Sequence, residues 1–277
     1  LGDNIYMAGV DSADHPRWAA VFEDPYANLD FPFYATLGNH DYGSAVFGFG
    51  EGGAGMEPCV GEAQVAYGAI QDKFVMPDTF YRFFKENVEF VSLNTTAMFW
   101  ADFSLVEEGL ACSLFDGWSF ADENDRQRSD LDNWYNTRSA DWRIAFGHHP
   151  YLSNGRHGNA GSYELGFEWS LPGSGEELKI FFENYIKSKF DVYLAGHDHS
   201  VQDLGEVGGT QWIVSGAGAK ASEVEDRNPT AQFYVADKGF VYFEVTPEEM
   251  QMSFIIVTPN SNGPATGEVR HTRTVTR

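Results

Sequence analysis

Four short motifs follow one another along the 277-residue chain. They are Gly2-Asp3-Asn4-Ile5-Tyr6, Gly38-Asn39-His40-Asp41, Gly147-His148-His149-Pro150 and Gly196-His197-Asp198-His199. Together they offer carboxylate, phenolate and amide oxygens and several imidazole nitrogens. Such a donor set suits a pair of metal ions, and two cations clamped on one phosphorus centre are the usual means of cleaving a phosphate ester. Each motif alone is a common turn sequence. Four in order, each after an apolar run that reads as a strand, carry the reading.

The residues differ in weight. A carboxylate at Asp3 can bridge two cations through its two oxygens, although a plain turn aspartate is the commoner role for Gly-Asp. Tyr6 is more often a packed aromatic. As a ligand it needs a strongly Lewis-acidic ion such as ferric iron, because a free phenol ionises only near a pKa of about 10. Asn39 and His40 follow Leu37-Gly38, where glycine lets the chain turn sharply and expose both side chains. His148, directly after Gly147, is the better ligand candidate of its pair; His149 reads as a supporting or solvent-facing group. His197 and His199 alternate by two, so an extended segment points both to one side. His157, in the Asn154-Gly155-Arg156-His157-Gly158-Asn159 loop, reads on spacing alone as a loop histidine. Asn94-Thr95-Thr96 matches a glycosylation sequon but ends a strand near the presumed site, so it reads as buried. Ser215-Gly216-Ala217-Gly218 reads as a tight turn, since no phosphate-loop Lys-Ser/Thr follows it.

The elements that must position these residues alternate in type. Helical spacing covers Asp14–Glu23, Glu62–Lys73, Asp125–Arg138 (Leu131, Trp134 and Tyr135 inward) and Gly175–Ser188. Strand patterns cover Phe31–Leu37, Phe80–Phe84, Val88–Leu93, Arg143–Phe146 and Asp191–Ala195. Later strands run through Gln211–Val214, Phe233–Ala236, Phe240–Val245 and Met250–Val257. Gly43–Gly61 reads as a glycine-rich loop and Ala97–Asn124 as irregular. The alternation predicts an α/β (α+β) chain with a two-sheet core flanked by helices.

Composition bounds the partners. Eighteen basic against 41 acidic residues give a net charge of −23, which disfavours nucleic acid and anionic membranes. With 43% hydrophobic residues the acidity is no sign of disorder. No stretch approaches the ~20 apolar residues of a membrane span. Two cysteines, Cys59 and Cys112, permit one bridge or none.

These motifs resemble those of the calcineurin-like metallophosphoesterases. They are most similar to the small, tartrate-resistant type of purple acid phosphatase. Ala63-Gln64-Val65-Ala66-Tyr67, Tyr193-Leu194-Ala195 and Val214–Gly218 extend the similarity over nearly the whole chain. The tyrosine three residues after the aspartate is its specific mark. The resemblance implies a single domain over 1–277 with a four-layer metallophosphoesterase fold: two packed mixed β-sheets flanked by helices, metals at strand ends. It implies that Asp3 bridges both metals, that Tyr6 and His199 bind Fe(III), and that Asn39, His148 and His197 bind a divalent ion (Fe, Zn or Mn). His40 and His157 would then hold the phosphate and protonate the leaving alkoxide. The implied reaction is hydrolysis of a small phosphate monoester, or another phosphorylated substrate, by a metal-bound hydroxide. A phosphodiesterase or nucleotidase on the same scaffold, or a catalytically weak binding module, is the alternative.

Two departures set further expectations. The family's upstream Asp-x-Gly motif on the first strand has no counterpart after Leu1, so the first strand is expected to precede the given chain. The loops Gly43–Gly61 and Ala97–Asn124 differ from those of small family members. Each carries one cysteine, so a Cys59–Cys112 bridge is expected to pin them together. Export from the cell, to an extracellular or periplasmic space, is the location usual for purple phosphatases.

Overall fold

Alternating apolar runs and glycine-rich turns build twelve strands, β1–β12, in the computed structural model, which describes residues 1–43, 57–100, 120–137, 139–163, 175–260 and 263–277. Contacts divide the chain into two compact units.

The first unit comprises Leu1–Arg82, Val91–Thr137 and Phe146–His148. Strands β1 (Phe33–Tyr34) and β2 (Phe74–Val75) pair in parallel, with Phe33 opposite Phe74. Aromatic residues fill the space beside them. Trp18 stacks on Tyr67 with centroids 3.6 Å apart, and Phe22 meets Phe74 edge-on at 5.2 Å. The first helical segment narrows to one wide π-helical turn, Ala19–Glu23. Helix α1 runs over Pro58–Gly68, so it begins inside the stretch read as a loop to Gly61 and stops short of Lys73. Pro58 suits a first helical turn, where its missing N–H costs nothing. Beyond Gly68 the chain must pass so close to Met76 that a Cβ there would lie 3.0 Å from its carbonyl oxygen.

Helices α2 (Thr95–Trp100) and α3 (Phe120–Asn136) occupy parts of the stretch read as irregular. Thr95 through Phe99 are all buried, so α2 shows no amphipathic stripe to read. In α3 the buried stripe is Phe120, Glu123, Asn124, Gln127 and Leu131, mostly polar. Two of those polar groups, Gln127 and Glu123, are matched: the Asn94 amide donates to Gln127 Oε1 at 2.9 Å, and Asn94 Nδ2 donates to Glu123 Oε1 at 3.1 Å and to the Tyr42 hydroxyl at 2.6 Å. Asn94 is therefore buried, as its position suggested. The stripe turns Tyr135 outward, against the expectation that it packs inside, while Trp134 is half-buried.

The second unit comprises Phe83–Phe90, Arg138–Ala145 and His149–Arg277. A seven-stranded mixed sheet has the order β3-β4-β5-β6-β8-β7-β9. Its strands are β3 (Tyr81–Lys85), β4 (Val88–Ser92), β5 (Trp142–Phe146), β6 (Val192–Ala195), β7 (Val201–Val207), β8 (Thr210–Ser215) and β9 (Phe233–Val235). Ahead of β6, helix α4 (Glu176–Phe181) continues into a π-helical turn, Phe182–Ile186, burying Leu178, Phe181, Phe182 and Ile186. The second sheet is antiparallel rather than mixed: β10 (Gly239–Val245), β11 (Glu249–Thr258) and β12 (Thr266–Thr276). Met250, Met252, Phe254 and Ile256 of β11 share one core cluster with Trp142, Ile144, Val192, Val201 and Ile213. Their two-residue spacing is the strand period that puts one face inside. Asp203 of β7 takes His271 Nε2 at 2.8 Å and Arg273 Nε at 3.1 Å, both from β12.

Phe254 is fully buried in this core, whereas Phe240 on β10 is 46% exposed. Phe254→Ala is expected to cost about 3–5 kcal/mol, by lost transfer and cavity formation. Phe240→Ala should stay within about 0.5 kcal/mol. Denaturant melts of both variants check the contrast.

Candidate metal centre

The first unit gathers five of the sequence-predicted residues around two adjoining turns. The Gly2–Tyr6 turn lies against the Gly38 turn that follows β1. Contact is so close that a Cβ on Gly38 would stand 2.3 Å from Asp3 Oδ1. The fully buried carboxylate of Asp41 ties the two together. It accepts the amides of Asn4 (3.0 Å), Ile5 (3.0 Å) and Gly38 (2.9 Å), and the side-chain nitrogens of Gln64 (2.7 Å) and Asn4 (3.4 Å). Burial and then the Asp3 charge push the Asp41 carboxyl upward; the Gly38 amide, the Gln64 side chain and the Asn4 amide oppose this.

His148, at the end of β5, is buried against the same turns. Its amide donates to Thr95 Oγ1 at 3.2 Å, and its Nδ1 lies 2.9 Å from the Leu1 carbonyl. That bond fixes the ring so that Nε2 faces Asn39 Oδ1 at 3.0 Å and Asp3 Oδ2 at 3.3 Å. Three donor atoms at such spacings match ligands placed about 2.0–2.2 Å from a single ion. An imidazole whose second nitrogen is held by a carbonyl is the usual oriented metal ligand. The donor set therefore fits a cation.

Tyr6 donates its hydroxyl to Asp3 Oδ2 at 2.9 Å. Burial first, and then the Asp3 charge, raise its pKa far above the ordinary phenol value. Without a cation it stays protonated. The Tyr6 ring lies 4.4 Å from that of His40. His40 is half-buried, its amide donates to Asp3 Oδ1 at 3.0 Å, and its Nδ1 stands 2.7 Å from the Met7 carbonyl. With Nδ1 so occupied, Nε2 is the nitrogen left for a ligand. The guanidinium of Arg17 donates to the Tyr6 carbonyl.

The second unit gathers the rest. His197 follows β6 and packs against His157 (centroids 4.1 Å) and His149 (4.7 Å). His149 is buried rather than facing solvent, and its carbonyl accepts the Tyr193 hydroxyl at 2.8 Å. His199 is half-buried, and its carbonyl accepts the Ser222 amide at 2.9 Å. His157 thus sits in a loop, as its spacing suggested, with its ring against His197.

Two candidate ligands adopt left-handed backbone angles, Asp3 (φ 54°) and His197 (φ 61°). Outside glycine this conformation costs about 1–2 kcal/mol and is concentrated at functional sites. Spacing alone missed Asp41 and Asp198, the buried carboxylates directly after His40 and His197. The signal was present in both motifs, as an aspartate beside each histidine. Cys112 and the Cys59 side chain lie outside the described residues, as does the bridge expected between them.

In the metal-free protein Asp3 and His148 form a buried pair. Burial alone would raise the Asp3 carboxyl, yet the His148 charge and hydrogen bond hold it well below its ordinary 3.8. Burial alone would lower His148, yet Asp3 and the Leu1 carbonyl draw it above its ordinary 6.5. A depressed acid stabilises above its unfolded pKa and loses that contribution as pH falls through the folded value. A raised histidine stabilises below its unfolded pKa and loses it as pH climbs through the folded value. The pair therefore contributes fully between pH 3.8 and 6.5. Melting temperature of the metal-free protein should fall on both flanks of that window, and His148→Gln should flatten the alkaline flank. An alkaline flank unchanged by His148→Gln would contradict the pairing.

Known proteins agree with this architecture. The family model for calcineurin-like phosphoesterases matches residues 1–201. Human tartrate-resistant acid phosphatase type 5 is 27% identical, over 92% of this chain and 74% of its own length. Purple acid phosphatase 4 of Arabidopsis thaliana is 26% identical, over 94% and 70%. Among solved structures, GAP50, titled the anchor in the inner membrane complex of Plasmodium, superposes with a TM-score of 0.66 at 19% identity, covering 99% of this chain and 76% of its own. PhoD gives 0.60 at 17% identity, covering 100% and 63%. The fold is that of the metallophosphoesterases, and by the family match the chain belongs to the calcineurin-like phosphoesterases, a family of metal-dependent hydrolases.

Proposed function

We propose that this chain hydrolyses phosphate monoesters at a dinuclear centre of Fe(III) and a divalent Fe, Zn or Mn ion. Asp3 is assigned to bridge the two ions, Tyr6 and His199 to hold the ferric ion, and Asn39, His148 and His197 to hold the divalent one. The observation that carries the reading is that Asp3 Oδ2 and Asn39 Oδ1 both lie within 3.3 Å of His148 Nε2, with the other ring nitrogen of His148 pinned on the Leu1 carbonyl. Relatives named acid phosphatases and purple acid phosphatases support it.

When bound, the two ions acidify a water and neutralise charge on the phosphate. The remaining work belongs to the chain. Asp41 holds both ligand-bearing turns in register. His40, with Nδ1 on the Met7 carbonyl, presents Nε2 to a phosphate oxygen. His157, beside His197, gives a proton to the leaving oxygen. Loading the site must displace protons from His148 and Tyr6, so metal uptake strengthens as pH rises. Among the described residues no helix is long and apolar enough to cross a membrane. An exported enzyme acting on small phosphorylated compounds is the setting that fits the named relatives.

Tyr6 tests the iron assignment. A phenolate on ferric iron absorbs visible light, so iron-loaded protein should be coloured and Tyr6→Phe should bleach it. Colour that survives this change means Tyr6 is only a packed aromatic. His197→Ala and His199→Ala should each drop bound metal toward one ion per chain. Full occupancy in both, by metal analysis, would remove those ligands from the scheme.

A further inference from the structure

His157 and His197 come from different segments, one in the loop after Pro150 and the other after β6. The link between them is Asp198, whose side chain is 1% exposed. Its Oδ1 accepts the His157 backbone amide at 2.9 Å, and its Oδ2 accepts the Ser153 hydroxyl at 2.5 Å. Ser153 Oγ in turn accepts the Gly155 amide at 2.9 Å and Gln202 Nε2 at 3.0 Å. Gln202 Oε1 accepts the Asn154 amide at 2.8 Å. The amides of Asn154, Gly155 and His157 thus all turn inward onto one buried polar cluster. The loop backbone passes directly over the Asp198 carboxylate. A Cβ on Gly155 would stand 2.3 Å from Asp198 Cγ.

Burying a carboxylate is costly unless it is hydrogen-bonded, so a structural role alone would be as well served by an apolar side chain of similar size. What an apolar side chain could not do is hold a backbone amide at a fixed place. Asp198 reaches the amide of His157, not its ring, so it acts through location and not through the basicity of the imidazole.

We infer that Asp198 is a positioning residue: its carboxylate fixes the Ser153–His157 backbone so that the His157 imidazole stands against His197, in place to protonate the leaving oxygen. The inference rests on the phosphomonoesterase reading and on the acid role given there to His157. It also explains Gly155, since any side chain there would push the loop off the carboxylate.

The test uses the full, metal-loaded chain and two substrates. p-Nitrophenyl phosphate releases a stable phenolate that needs little proton donation. Glycerol phosphate releases an alkoxide that needs a proton. A misplaced acid slows the second far more than the first, whereas loosened structure slows both alike. General acid help is worth ~10²–10⁴-fold. Asp198→Ala and Gly155→Ala should each lower kcat on glycerol phosphate by ~100-fold and on p-nitrophenyl phosphate by less than ~10-fold, with metal content unchanged. Asp198→Asn keeps one oxygen for the amide and should fall between; it is the variant to read where the alanine forms do not fold. Equal losses on both substrates, loss of metal, or no loss on either would overturn the positioning role while leaving the hydrolytic reading intact. A wild-type protein inactive on both esters would overturn both.

Discussion

The Asp41 carboxylate is the constraint on which the first half of the site depends. It takes five N–H groups from Asn4, Ile5, Gly38 and Gln64. Three are backbone amides in turns, where no helix or strand partner is available. A buried amide left unpaired costs about 1–3 kcal/mol, so these turns have little freedom to settle elsewhere. One turn carries Asp3 and Tyr6; the other carries Asn39 and His40. A single buried carboxylate therefore ties together the two turns that carry four candidate site residues. Gln64 brings helix α1 into the same bond set.

Asp198 has the corresponding place in the second unit, and both aspartates stand directly after a histidine of the motif. The pattern has a physical reason. A ligand at a strand end must project from a tight turn, and a tight turn leaves amides without partners. Asp41 turns back to collect such an amide from its own turn, at Gly38, whereas Asp198 collects one from the facing loop, at His157. In both units the neighbouring backbone is strained, at Asp3 and at His197, each in the left-handed region. Such conformations persist only where surrounding bonds over-determine them. Asp41 supplies bonds beside Asp3, at the Asn4 and Ile5 amides, whereas Asp198 supplies them to the loop whose His157 packs on His197.

This division explains how far the sequence could be read. The ligand-type residues were legible because their chemistry is carried by side-chain type and two- or three-residue spacing. Strands β4, β5, β6 and β11 were legible because buried strands are apolar runs. Helix α2 was not, because a helix buried all round shows no stripe. The buried face of α3 was misassigned because its inward residues include Glu123 and Gln127, polar groups that look like a solvent face until their partner Asn94 is known. Strand β12 alternates threonine with charge and is largely exposed, so it carries little apolar signal, yet β11 pairs along its whole length. The tie from the His157 amide to Asp198, 41 residues away in the sequence, is likewise encoded by no local spacing.

Charge gives the arrangement its last requirement. The chain carries a net −23, and a phosphate ester is itself an anion. Long-range electrostatics therefore oppose substrate approach. Of the eight candidate site residues none is Lys or Arg: they are Asp3, Tyr6, Asn39 and the histidines at 40, 148, 157, 197 and 199. Asp3 carries a negative charge and Tyr6 would add a second on ionising, and both oppose a phosphate. Cations reverse the sign locally. A cation held beside Tyr6 would favour loss of its proton, which burial next to Asp3 otherwise opposes. On this account the acidic ligands serve two ends with one charge set. They would hold the metals, and they would make phosphate recognition conditional on the metals being there.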